Sequence, residues 1–393
     1  MSPRTPTGAK FALVSHALPP ACSGQSVVLA RLLRDLPATS YCLLTGQAPA
    51  GDGDLAPLPA PTTRFAPAPW RPRGLRGVAH LEALAARARV IARVALEEGC
   101  AAVVACTGDI LDIPAAALAS RRLRLPFFAY MFDDYVCQWP SRRRRLFARA
   151  AETLALRDAA AVIVPNELMA EAYERRHGLR PVIVRNPFDP ALQGDDEPPA
   201  PSPASAGLRV VYTGSVYHAQ LDELRRLAAA LADVPGASLH LYTGATPAAL
   251  RDADLTGPVT THGLLSPREA VRAQRAADVL FLPLAFRSRI PEVIRTSAPG
   301  KLGEYLRAGR PILVHAPADS FVARFFRERG CGLVVDRPEP AALVAALRRV
   351  RDEPGRVAEL AARARAAAEE FALPAARAAF LGALTAGSAP TPL

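Results

Sequence analysis

Short apolar runs rich in Val, Ile, Leu and Phe recur along this chain, separated by stretches rich in alanine and arginine. KFALVS (10–15), YCLLTG (41–46), AAVVAC (101–106), PFFAYMF (126–132), AAVIVPN (160–166) and PVIVRN (181–186) have almost no polar side to give to water. A strand apolar on both sides must be covered on both faces, and a parallel sheet with helices above and below is the fold that does this. The helical patterns between the runs supply the crossovers. The first half therefore reads as a doubly wound α/β domain.

Residues 190–207, PALQGDDEPPAPSPASAG, interrupt the alternation with proline and acid and read as a linker. The pattern then restarts: LRVVYTG (208–214), a helix over 220–232, SLHLYTG (238–244), VTTHG (259–263), a helix over 267–276, DVLFLPL (278–284), PILVH (311–315), CGLVVD (331–336) and a helix over 339–351. Domains over 1–189 and 208–354 follow, with one last helical stretch over 355–386 after Pro354. A chain of 393 residues suits two cores of this size. Residues 47–77, with PAPTTRFAPAPWRPRG, have no periodicity and read as a long functional loop.

The formal net charge is +11, which suits an anionic partner: nucleic acid, anionic lipid or a phosphorylated substrate. Nearly all of the 48 basic residues are arginine; the lysines are Lys10 and Lys301. In an alanine-rich and arginine-rich chain, a lysine at 301 is informative. Cys22, Cys42, Cys100, Cys106, Cys137 and Cys331 form no CxxC pair and have no ligand spacing with histidine. Neither a metal site nor a disulfide framework is expected, and a reducing cytoplasmic location fits. The opening apolar run is shorter than a signal peptide needs, and no stretch reaches bilayer length.

Five stretches could carry chemistry. In PPACSGQSVVLARLL, Gly24 lies between first strand and first helix, where backbone N–H groups can meet an anion or a sugar hydroxyl; a plain turn requiring glycine explains it equally well. In VVYTGSVYHAQLDEL, Gly214 and Ser215 lie at a strand's carboxyl end, with His218 within reach of the same rim. In SAPGKLGEYLRAGRPILVH, Pro299 and Gly300 open a helix beside Lys301, with Glu304 one turn on; a lysine for phosphate and a carboxylate for a ribose diol make a nucleotide-shaped pair. The alternative is a surface salt bridge. Asp133 and Asp134 end a strand in AYMFDDYVCQW, facing an acceptor hydroxyl or merely solvent. SRRRRLFARAAETLAL is a basic helix with Leu146, Phe147, Ala150 and Leu154 on its expected inner face, open to lipid-phosphate contact or to plain solvation.

Taken in order, YTGSVYHAQLDEL, THGLLSPREAVRAQRAADVLFLPL, APGKLGEYLRAGRPILVHAP and GCGLVVDRPEPAALVAAL resemble the retaining glycosyltransferases of the GT-B fold, of the family 4 or "group 1" kind. PPACSGQSVVLARLL and VIVPNELMAEAYERRHG are similar in placement. The resemblance implies two Rossmann-like domains, a nucleotide sugar (a UDP- or GDP-sugar) on the C-terminal one, a glycan or lipid-linked acceptor on the N-terminal one, and a last helix crossing back. By that resemblance Glu304 binds the ribose, Gly214 lies beside the diphosphate, Gly24 approaches the donor, and His262 and Gly263 run by the base. No metal or other cofactor is implied.

The sequence departs from that pattern in two places. Where the family often carries a glutamate eight positions before Glu304, this chain has Thr296, and the usual Arg/Lys pair after the GS turn is absent. Lys301 is then expected to supply the missing phosphate charge, Thr296 or Ser297 to contact the sugar, and Asp133 or Asp134 to serve the acceptor. The expected role is bacterial cell-surface polysaccharide synthesis at the cytoplasmic side, with peripheral membrane contact through residues 141–157 and no nucleic acid partner. The departures also leave open a non-catalytic binding or scaffold subunit, and a nucleotide-sugar epimerase of the same fold.

Overall fold

The strands form where the apolar runs demand them. The computed structural model describes residues 9–21, 23–46, 55–65, 76–193 and 207–386. The chain divides into two compact units, Met1–Arg185 with Pro374–Leu393, and Asn186–Leu373.

In the first unit β1 (Phe11–Val14), β2 (Tyr41–Thr45), β3 (Thr62–Arg64), β4 (Ala102–Cys106), β5 (Phe127–Tyr130), β6 (Ala161–Val164) and β7 (Val182–Ile183) make one parallel sheet in the order β3-β2-β1-β4-β5-β6-β7. One face packs on three helices, Arg76–Glu97, Asp112–Leu123 and Arg142–Leu156, through Ala12, Val14, Val103, Ala105, Ile91 and Ala148. On the other, Phe380 of helix Leu373–Ala386 meets the rings of Phe11 and Tyr130. In the second unit β8 (Leu208–Thr213), β9 (Ala237–Tyr242), β10 (Val259–His262), β11 (Val279–Pro283), β12 (Ile312–His315) and β13 (Leu333–Val335) repeat the plan as β10-β9-β8-β11-β12-β13. Leu224, Leu227, Leu343 and Leu347 from two helices fill one face of that sheet against Val210, Leu239 and Val279. In both sheets the strand order reverses beside the unit's first strand, and the carboxyl ends at that switch point are where such sheets bind ligands.

Four expectations need correction. The stretch 355–386 is two helices, Pro354–Ala368 and Leu373–Ala386. Between them Ala372 is extended and bridges Phe188, and Pro374 sits in the first turn of the second helix, where its missing N–H costs nothing. Residues 355–373 thus belong to the second unit, as do 186–189. The expected helix opening on Pro299 starts later, at Leu302, and runs to Arg307, with a separate short helix, Pro291–Thr296, before it; Pro299 to Lys301 form a turn in which Leu302 N donates to Pro299 O at 2.9 Å. The 47–77 loop contains β3, paired with β2, and helix Arg76–Glu97 begins inside it; 47–54 and 66–75 lie outside the described residues. So do Cys22 and most of the linker, of which Pro190–Gln193 is a helical turn.

The basic helix Arg142–Leu156 faces differently from expectation. Ala148, Ala151, Ala155 and Leu156 are buried, whereas Leu146, Ala150 and Leu154 are exposed. Alanine allows close approach to the neighbouring helix and sheet, and buried Glu152 on the same face accepts hydrogen bonds from Tyr173 Oη at 2.8 Å and Arg176 Nη1 at 2.9 Å. The described cysteines are free thiols. No described helix is long and apolar enough to cross a membrane.

Candidate functional site

β8 ends at Gly214, whose φ of +114° suits glycine and whose missing Cβ leaves a slot. A Cβ there would stand 2.9 Å from Lys301 Nζ. The same ammonium lies 3.7 Å from the centre of the Tyr212 ring, a cation–π contact that fixes it at the strand end. Burial pushes the Lys301 pKa down to about 7, and Glu304 only partly offsets this. Such an amine has less than its full complement of negative neighbours. A bound diphosphate would complete it.

Glu304 follows one turn later, half-buried, and accepts from Gln274 Nε2 at 3.2 Å. That amide also donates to Thr213 Oγ1 at 3.1 Å, and Tyr305 Oη accepts from Thr213 N at 3.0 Å. The end of β8 and the start of helix Leu302–Arg307 are thereby tied by buried polar contacts. Asn186 Nδ2 donates to Ala298 O at 2.8 Å and holds the turn that presents Lys301. This helix has six residues and so only a small dipole, which leaves the side-chain ammonium as the principal positive charge of the turn.

The other expected donor-side residues fall into two groups. Gly214, Ser215 and His218 are on the loop after β8, Ser215 and His218 exposed; His262 ends β10 and Gly263 follows it, with open space where its Cβ would be. The His262 ring stacks on Tyr242 at 4.3 Å, and its Nε2 lies 3.0 Å from His240 Nδ1. Burial and the nearby Arg209 charge lower the pKa of both histidines. Ser297 and Gly300 are half-buried in the turn before Lys301. Thr296, by contrast, is 2% exposed, and its Oγ1 donates to Glu292 O at 2.9 Å, so that hydroxyl serves its own helix.

In the first unit, Thr107, Gly108 and Asp109 follow β4, and Phe132 and Asp133 follow β5. Thr107 Oγ1 accepts from Phe132 N at 3.0 Å, which sets the turn. Gly108, at φ +135°, lies so near the loop after β1 that a Cβ would come within 3.0 Å of His16 Cβ. Gly24 is exposed at the start of helix Gly24–Leu33, where Ser23 and Ser26 form a capping box. The two aspartates part company. Asp133 is exposed, yet the surrounding protein and then the Asp134 charge push its pKa up to about 6. Asp134 is buried, pairs with Arg176 at 2.6 Å and accepts from the backbone N of Val136 and Cys137, so its carboxylate is occupied by the fold and is removed from the acceptor candidates.

Sequence reasoning missed Gln274, Tyr212, Asn186 and the buried Arg87 pair with Asp109 (2.7 Å) and Asp112 (2.6 Å). The one available signal was a polar residue inside an apolar helix face, as in Gln274 within AVRAQRAAD. The Asp112 carboxyl is pushed up to about 8, mainly by burial and then by Asp109.

Residues 23–188 match the family model for a glycosyl transferase 4-like domain. The chain's fold is GT-B. It resembles sucrose-phosphate synthase from Thermosynechococcus elongatus with a TM-score of 0.69 and 18% identity, over 96% of this chain and 98% of that one. It resembles Anabaena HepE in complex with UDP and glucose at 0.68 and 17%, over 96% and 99%. A trehalose-phosphate synthase from Burkholderia xenovorans, in complex with glucose-6-phosphate, gives 0.67 and 13% over 96% and 100%. No curated protein matches the chain.

Proposed function

We propose that this chain is a glycosyltransferase that moves a sugar from a nucleotide-sugar donor, a UDP- or GDP-sugar, to a glycan or lipid-linked acceptor with retention at the anomeric carbon, in bacterial cell-surface polysaccharide synthesis. The observation that carries the reading is the Lys301 ammonium held against Gly214 with Glu304 one turn away. Lys301 neutralises the departing nucleoside diphosphate as the anomeric C–O bond breaks, and Glu304 accepts from the ribose hydroxyls. Stabilising charge as it develops on a leaving group is worth several kcal/mol in such sites. Ser215, Ser297 and Gly300 line the phosphates and sugar, and His262 and Gly263 lie towards the base. The acceptor oxygen bonds to the anomeric carbon on the face the diphosphate leaves, and its proton passes to the diphosphate oxygen. Asp133, in the first unit, is the acceptor-side residue of this reading. HepE bound to UDP-glucose supports a UDP-sugar as donor.

Thermal unfolding against UDP, GDP, ADP and TDP and their sugars tests this. Ligand at about 100 times its dissociation constant stabilises the folded state by roughly 2.7 kcal/mol. The expected result is a shift with one nucleotide class that Lys301→Ala and Glu304→Ala both abolish. No shift with any nucleotide would overturn the donor site, and a shift without transfer to any acceptor would favour a binding subunit.

A further inference from the structure

We infer that Cys42 and Cys100 form a redox modification site, a thiol pair that a peroxide converts to a disulfide across the foot of β1. Cys42 lies on β2, in register with Ala12 of β1, and Cys100 precedes β4 on the other side of β1. The two are 58 positions apart in sequence, yet their Sγ atoms stand 3.6 Å from each other. Closing that gap to a bond of about 2 Å takes only a small turn of two short side chains. Cys100 N donates to Ala95 O at 2.8 Å and Ala101 N to Lys10 O at 2.7 Å, so the chain passes the foot of β1 before entering β4 and brings the second thiol to the first. Two thiols in contact differ from a lone buried cysteine, which packs as a small apolar group. Cys106, at the opposite end of β4, is fully buried, and burial holds its thiol well above the ordinary pKa.

The surroundings give the two sulfurs different roles. Cys100 is 8% exposed and Cys42 1%, so an oxidant arriving from solvent meets Cys100 first. The hydrogen bond from the Cys42 thiol, and then the Lys10 charge, favour the Cys100 thiolate against burial; the same contact and burial hold Cys42 protonated. Lys10 is itself fixed by an ion pair with Glu98, two residues before Cys100. With hydrogen peroxide, the Cys100 thiolate attacks one oxygen and the O–O bond breaks. A sulfenic acid forms, and the hydroxide released takes up the proton that Cys100 gave away. The Cys42 sulfur then attacks the sulfenic sulfur; the S–S bond forms as the S–O bond breaks, and the departing hydroxide leaves as water with the Cys42 proton. Two thiols have lost two electrons, the peroxide has gained them, and two waters have left. The bond closes a loop that holds β3 and helix Arg76–Glu97, whose Arg87 pairs with Asp109 and Asp112. It lies at the amino ends of β1, β2 and β4, so the inference is independent of the transfer chemistry proposed for the carboxyl ends.

The experiment is oxidation of the reduced full chain with hydrogen peroxide, then blocking of the remaining thiols in denaturant, proteolysis without reductant and mass spectrometry, for the wild type, Cys42→Ala and Cys100→Ala. The expected result is a peptide pair that joins Cys42 to Cys100, is absent from both variants and is split by dithiothreitol. Because the closed loop is long, the melting temperature of the oxidised wild type should rise by on the order of 10 °C and return with dithiothreitol. The melting temperature of each variant before oxidation checks its fold, and neither variant should gain from peroxide. If a variant does not fold, the wild-type peptide map still decides. Both thiols open to blocking after peroxide, a sulfinic acid at Cys100 in place of the link, or a link from either residue to another cysteine would overturn the inference. So would a link that leaves the melting temperature unchanged or lower, because the sulfurs would then meet only by distorting the fold.

Discussion

The two sheets share a strand order but carry opposite charge at their carboxyl edges. At the carboxyl edge of the first, acidic side chains gather: Asp109, Asp112, Asp133 and Asp134, with Arg87 and Arg176 committed to Asp109, Asp112 and Asp134 and to buried Glu152. At the edge of the second, one lysine rests on Tyr212 and Gly214, with Glu304 as the charge that raises its pKa. Topology places the edge, and a few side chains decide which ligand it suits. In the first unit charge is mostly spent on holding the loops, while in the second the lysine rests on a ring and a glycine, and the proposed function gives it an incoming anion.

The largest effect should come from breaking the internally paired side. Arg176→Ala leaves Asp134 and Glu152 without their guanidinium and should destabilise the first unit by about 3–5 kcal/mol, read by urea unfolding. If stability is unchanged, the first edge is not held by paired charge. On the other side, Lys301→Ala should leave the fold in place and lower kcat by roughly 10²–10³, the usual loss of a group that stabilises developing charge. Lys301→Arg should not restore it, because a planar fork does not replace a compact ammonium over the Gly214 slot. A fully active arginine variant would contradict that geometry.

Smaller changes sharpen the contrast. Gly214→Ala forces a side chain into a positive-φ position and pushes on Lys301 Nζ, so about 1 kcal/mol of stability should go together with donor affinity. Asp133→Asn should move stability by less than about 0.5 kcal/mol, since the side chain is exposed, while transfer falls and donor affinity holds. Asp134→Asn should do the reverse and cost stability. Equal effects of the two substitutions would erase the distinction drawn between them.

The alternation of apolar runs made both sheets legible, because strands buried on two faces leave a strong signal. Gly214, Lys301 and Glu304 were legible too, since turn chemistry and a rare residue type mark them. What escaped depended on packing partners distant in sequence. Gln274 joins Thr213 to Glu304 across 61 and 30 residues, and its place on a helix face marks it without naming those partners. The helix Arg142–Leu156 carries two apolar lines, one of leucine and one of alanine. Hydrophobicity favoured the leucines, but the neighbouring helix and sheet needed small side chains and a place for Glu152. The later start of the helix, at Leu302, was hidden by Pro299, which suits a first helical turn as well as the turn it actually occupies.

The central claim, that Lys301 waits for a diphosphate, has a pH signature. Burial pushes its pKa down to about 7 from an ordinary 10.5. Below 7 the folded and unfolded chains both hold the proton and the desolvation cost is fully present. Between 7 and 10.5 only the unfolded chain does, so this residue's contribution to stability improves as pH rises. A bound diphosphate favours the charged amine, so binding in that window must take up a proton and weaken with rising pH. Titration calorimetry of the nucleoside diphosphate at pH 8, in buffers of different ionisation enthalpy, measures that uptake directly. The account predicts net proton uptake by the wild type and its loss in Lys301→Ala; equal uptake and equal affinity in the two proteins would contradict it.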